Sequence, residues 1–134
     1  MANLSITASG VLLISGSVYN GTAGVTITAG QPCYLHTDGT LKLALAGGTA
    51  AEAAVYGVSL HAALAGQPLC LVLAGIYGVG ATVVVGGMYA LSATAGLICP
   101  IADIINPNYV SALGVAVTAA RIELKINNSG IVRA

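Results

Sequence analysis

The chain has 134 residues, a length that suits one domain around one hydrophobic core. Apolar residues make up 57% of it, yet there is no Trp, no Phe and only six Tyr, so a core has to be built from Val, Ile, Leu, Ala and Tyr. Four basic residues (Lys42, Arg121, Lys125, Arg133) balance four acidic ones (Asp38, Glu52, Asp103, Glu123), which excludes a basic nucleic-acid surface and a disordered polyelectrolyte.

Residues 1–24 are rich in Ser, Gly, Asn and Thr and contain one apolar run, Val11-Leu12-Leu13-Ile14. They read as an extended arm bearing one strand, of a kind that becomes ordered by pairing with something else. The opening Met-Ala-Asn-Leu-Ser-Ile lacks the basic region and unbroken apolar run of a secretory signal. Over residues 25–127, turn signals recur about every ten residues with short β-rich runs between them, which predicts an all-β barrel or sandwich. Strands are expected at Val25–Thr28, Pro32–His36, Thr40–Ala44, Ala54–Leu60, Leu69–Ala74, Ala81–Val85, Met88–Ser92, Leu97–Pro100, Tyr109–Val117 and Ile122–Asn127. Asp38-Gly39, between two of these runs, is a hairpin signal. Thr49–Ala54 and Ile101–Ile105 each fit a single helical turn, the second stopped by Pro107. Residues 128–134 read as a tail.

The chain repeats itself faintly. Gly30-Gln-Pro-Cys-Tyr-Leu35 aligns with Gly86-Gly-Met-Tyr-Ala-Leu91, and Thr40-Leu-Lys-Leu43 with Gly96-Leu-Ile-Cys99. Tyr56–Leu60 then falls on Leu113–Val117, and Leu69–Leu73 on Ile122–Ile126. Two pseudo-repeated halves, about 30–74 and 86–127, therefore each supply a hairpin, a middle strand and a closing strand. In the second closing strand Ile122, Leu124 and Ile126 alternate with Arg121, Glu123 and Lys125, the pattern of a half-buried strand with one wet face. Its counterpart, Leu69-Cys-Leu-Val-Leu73, has no alternation and is expected to be covered on both faces.

Motifs for chemistry are sparse. Gly57-Val-Ser-Leu-His61 begins like a nucleophile elbow but ends in His, and Ser59 and His61 fall on one strand face, so a hydrolytic dyad is an alternative reading. Cys33 and His36 have metal-ligand spacing, but residues three apart on a strand point to opposite faces. Cys33, Cys70 and Cys99 are odd in number and widely spaced, which predicts free buried thiols, not a disulfide framework. Gly78-Val-Gly-Ala-Thr lacks the third glycine of a dinucleotide fingerprint. Pro68–Ala90 has the length of a membrane span, but five glycines and many β-branched residues argue for strands. No catalytic residue, cofactor or metal site is expected, and neither nucleic acid nor membrane is an expected partner.

One resemblance runs through most of the chain. Thr28-Ala-Gly-Gln-Pro32, Tyr34-Leu35, Asp38–Ala44, Ala51-Glu-Ala-Ala54, Gly57-Val58, Ala65-Gly-Gln-Pro-Leu69, Gly80-Ala-Thr-Val83, Tyr89–Gly96, Pro100-Ile-Ala-Asp103, Tyr109-Val110, Leu113-Gly-Val115 and Lys125–Gly130, taken in that order, resemble small capsid decoration (cement) proteins of tailed bacteriophages. The three cysteines and the uncharged stretch from Ala53 to Ala102 depart from that family's pattern. The resemblance implies a structural virion protein, made in the host cytoplasm, that binds the outer capsid surface and stabilises the mature shell. It implies the major capsid protein as partner and a symmetric homo-oligomer, with a trimer preferred over a dimer. The residues expected at the capsid or inter-subunit interface are Leu4, Ile6, Val11, Leu12, Leu13, Ile14 and Tyr19. The rival readings are a cellular β-barrel binding module, a hydrolase using Ser59 and His61, and a membrane-associated protein.

Overall fold

The structure, a computed structural model, describes residues 3–104 and 108–132. It is all-β. Its strands are β1 (Val11–Thr22), β2 (Pro32–Leu35), β3 (Leu41–Leu43), β4 (Gly57–Ser59), β5 (Pro68–Val79), β6 (Met88–Leu91), β7 (Ile98–Pro100), β8 (Tyr109–Thr118) and β9 (Arg121–Val132). Among the described residues the only helical elements are two short 3₁₀ turns, Ala8–Gly10 and Ile101–Asp103. All the strand pairs are antiparallel, and they form one curled sheet with the path β3-β2-β4-β5-β9-β8-β6-β7, to which β1 is added by pairing with β5.

That path carries the internal repeat. Read outward from the β5/β9 pair, each side gives a closing strand, a middle strand (β4 or β8) and a hairpin (β2/β3 or β6/β7). Each half exposes apolar residues that the other half covers: Tyr34, Val58 and Val72 share one buried cluster with Leu91, Ile98, Leu113, Ile122 and Leu124. Burying side chains of this size stabilises the fold by roughly 1.5–3 kcal/mol each. A second cluster, Ile27, Cys33, Leu41, Leu69 and Leu71, lies under the first half, and a third, Ala90, Cys99 and Ile104, under the second. The Asp38-Gly39 hairpin forms as expected. Gly39 has φ +87°. The Asp38 carboxylate accepts bonds from the Thr40 hydroxyl and amide, which hold its pKa down to about 2.

Where β1 crosses β5 the backbones come very close. Gly16 pairs with Gly75, Gly75 with Leu124, Leu124 with Gly114, and Gly114 with Tyr89, so one row across five strands contains three glycines. Gly16 and Gly75 both have positive φ, +132° and +122°. A Cβ on Gly75 would lie 2.1 Å from the Ser15 carbonyl oxygen, and one on Gly114 would lie 2.1 Å from that of Glu123. Only glycine allows this approach, and the register shifts on either side of Gly16 let the long strand pair bend there.

The segment set apart in the sequence as an arm packs on its own chain. Leu4 donates its amide to the Ile98 carbonyl, Thr7 donates to that of Gly80, and Leu4 and Ile6 rest against the main core. β1 extends the expected strand to Thr22, and Ala23 bridges to Leu41. β9 likewise runs on to Val132, so residues 128–132 of the expected tail are strand. Two expected strands are absent. Val25–Thr28 makes only an isolated bridge, Ile27 to Ala63. Ala81–Val85 is a loop, bracketed by positive-φ Gly80 and Gly86, and its amides at Val83 and Val84 are satisfied by the Ala119 carbonyl and the Tyr89 hydroxyl. Thr49–Ala54 forms a turn closed by reciprocal bonds between Thr49 and Glu52. The second expected helical turn is the 3₁₀ turn Ile101–Asp103; its last expected residue, Ile105, and Pro107 lie outside the described residues.

Three outcomes follow for stability. Gly75→Ala places a methyl group against backbone, so urea denaturation is expected to show a loss of at least about 3 kcal/mol. Gly66→Ala, also at positive φ (+87°) but with nothing within 4 Å, should cost only about 1–2 kcal/mol. Tyr77 is fully buried, and its hydroxyl has no hydrogen-bond partner among the described residues. Tyr77→Phe should therefore leave stability unchanged or raise it by about 1 kcal/mol, and a clear loss would show that the hydroxyl is satisfied.

Candidate interaction surface

The residues expected at an interface divide into two groups. Val11 is buried, Leu4 and Ile6 pack on the core, and Tyr19 stands edge-on to Tyr56 with ring centroids 5.0 Å apart. These four hold the segment from Leu4 to Tyr19 to its own chain. Leu12, Leu13 and Ile14 are instead exposed, at 48%, 36% and 38%. Val18, which the sequence reading did not single out, joins them at 41%. Its polar neighbours Ser17 and Asn20 conceal it in the sequence.

Among the described residues β1 pairs with β5 and with no other strand, so one edge of a 12-residue strand presents unpaired backbone groups. No charged side chain precedes Asp38, so this edge is neutral throughout. Edge strands are commonly guarded by lysine or proline, and β1 has neither. It does have the register shift around Ile14 and the bend at Gly16, which kink the edge and limit indiscriminate pairing.

The alternative dyad is not assembled. The Ser59 hydroxyl is fully buried, donates to the Thr28 carbonyl at 2.6 Å and accepts from the Gln31 amide at 2.9 Å. His61 is exposed; its Nε2 accepts from the Cys70 amide at 3.1 Å and its Nδ1 contacts the Ala62 carbonyl at 2.9 Å. Each side chain is thus held by backbone groups: Ser59 ties β4 to the turn before β2, and His61 ties the β4–β5 connection to the start of β5. Cys33 and His36 also part: Cys33 is buried and donates to the Gln31 carbonyl, while His36 faces Asp38 at 3.2 Å. No cluster of three metal-ligating side chains occurs among the described residues. Pro68–Ala90 forms β5, a loop and β6, and no helix among the described residues is long and apolar enough to cross a membrane.

The outer face of the second half carries a different surface. Met88 and Val115 are exposed and paired with one another, and Val115 is paired with Glu123. Glu123 and Lys125 approach to 3.3 Å beside a groove of about 540 Å³. No protein-family model matches the chain, and no curated protein matches it significantly.

The three thiols are free and differ in access. Burial pushes Cys33 up to about 12, and burial, helped by the charge of Asp103, pushes Cys99 up to about 11. At pH 8 their thiolate fraction is about one part in a thousand or less. Cys70, on β5, is partly exposed. Iodoacetamide at pH 8 is therefore expected to label Cys70 in the native protein, and Cys33 and Cys99 only after unfolding, as read by peptide mass mapping.

Proposed function

We propose that this chain is a decoration protein of a tailed-bacteriophage capsid, sitting on the outer surface of the virion as a symmetric homo-oligomer and binding the major capsid protein. The ordered resemblance along the sequence supports this reading. The observation that carries it is the neutral, apolar, unpaired edge of β1, a surface suited to accepting a strand from another protein. The kink at Gly16 favours a partner shaped to match it over a second flat edge. Leu12, Leu13, Ile14 and Val18 supply apolar contact, and the free backbone groups of β1 supply hydrogen bonds that do not depend on salt.

The action is mechanical. A copy that binds only the expanded lattice stabilises that lattice by mass action, and the contribution is repeated at every equivalent position. Contacts without charge are not screened, so attachment is expected not to weaken as ionic strength changes.

The test mixes the full chain with undecorated mature heads of the same virus and measures bound protein by sedimentation. Saturable binding at a fixed ratio to capsid protein is expected. The double variant Leu12→Asp/Ile14→Asp should keep a β-type circular dichroism spectrum yet lose at least about tenfold in affinity, equivalent to about 1.4 kcal/mol. An intact chain that does not bind heads would overturn the proposal; a variant that decorates as fully as the parent would remove β1 from it.

A further inference from the structure

Pairing across the sheet places three rows side by side on the outer face of the second half. One row runs Met88–Val115–Glu123–Ile76–Ser15 through five strands. The row on one side runs Arg121–Gly78–Leu12, and the row on the other Lys125–Ala74–Ser17. The face is therefore apolar or small except for one line down β9, where Arg121, Glu123 and Lys125 alternate in sign. Those are three of only eight charged side chains in the chain. The Lys125 side chain is 81% exposed and that of Glu123 is 41% exposed.

A line of charges reading plus, minus, plus is complementary to itself. Set two copies face to face about a two-fold axis that crosses β9 at the level of Leu124. Glu123 of each copy then falls opposite Lys125 of the other, and Arg121 falls opposite the uncharged Asn127. No like charges meet. Side chains two apart on a strand are spaced by roughly 6.8 Å and packed sheets lie about 10 Å apart, a gap that Glu and Lys side chains bridge. The internal contact between Glu123 and Lys125 is exposed and contributes little by itself, so it exchanges readily for one across the axis.

The same axis treats the apolar residues consistently. It sets the second copy's Val115, which is 37% exposed, along β8 toward Ala112. Ala112 and Gly114 line the groove of about 540 Å³, where their small size leaves room for such a side chain.

We propose that the outer face of β9 is an isologous interface on which a second copy of this chain docks, Glu123 of each copy pairing with Lys125 of the other and Val115 of each facing the other's groove. This goes beyond the capsid reading and does not rest on it, since the pairing forms between free copies in solution.

Sedimentation equilibrium of the full chain, without capsid, is the test. The parent is expected to dimerise reversibly. Glu123→Lys makes the line uniformly positive and should weaken association at least tenfold. Glu123→Lys combined with Lys125→Glu restores opposite charges across the axis and should bring association back to near the parent value. Circular dichroism checks that each variant is folded. A parent that stays monomeric to millimolar concentration, or a double variant as weak as the single one, overturns the proposal. So does an oligomer that dissociates on Leu12→Asp/Ile14→Asp but not on Glu123→Lys. Because head binding is measured separately, either proposal can fail while the other stands.

Discussion

The close approach of β1 to β5 at Gly16 and Gly75 is the constraint on which the architecture rests. Two long strands run together from the first half of the molecule into the second, and they bend where neither residue has a side chain. On one side of the bend β5 pairs with β4; on the other it pairs with β9. The two halves therefore share a continuous strand and are not merely packed together. Any Cβ in this row that meets backbone pushes the strands apart and opens the cluster built around Tyr77, Ile122 and Leu124. Because β1 pairs with β5 alone among the described strands, its apolar residues from Leu12 to Ile14 lie at the surface.

Much of this was legible in the sequence. The repeat marked a hairpin, a middle strand and a closing strand in each half, and the sheet path has the same order in both directions from β5 and β9. The alternation in Arg121–Ile126 correctly separated a buried face from a wet one. The failures have physical causes. Ala81–Val85 has strong β propensity, yet glycines at positive φ on both sides turn the chain out of any ladder. Ser15–Thr22 has weak propensity, yet it is strand, because the unpaired edge of β5 supplies the partner groups that its own residues do not favour. Pairing across the sheet overrode local preference in both places.

The candidate surface was half legible. The run Val11–Ile14 stood out, but not how its members divide: strand alternation sends Val11 into the core and Leu12 toward solvent, and Leu13 and Ile14, beside the register shift, are exposed as well. Val18, Met88 and Val115 gave no signal, because a single apolar residue in a strand gains meaning only from its neighbours on adjacent strands. The same holds for Ser59, whose motif suggested reactivity while its contacts give it a bracing role.

The bond from Leu4 to Ile98 ties the early part of the chain to the seventh strand. During synthesis the apolar residues of β1 leave the ribosome long before β5, and Leu4 waits longer still for β7. Such distant pairings close slowly, since loop entropy must be overcome before any contact rewards it. The nascent chain thus passes through an interval in which β1 is both unpaired and sticky, and the serines, glycines and asparagine interspersed with its apolar residues lower its tendency to aggregate during that wait.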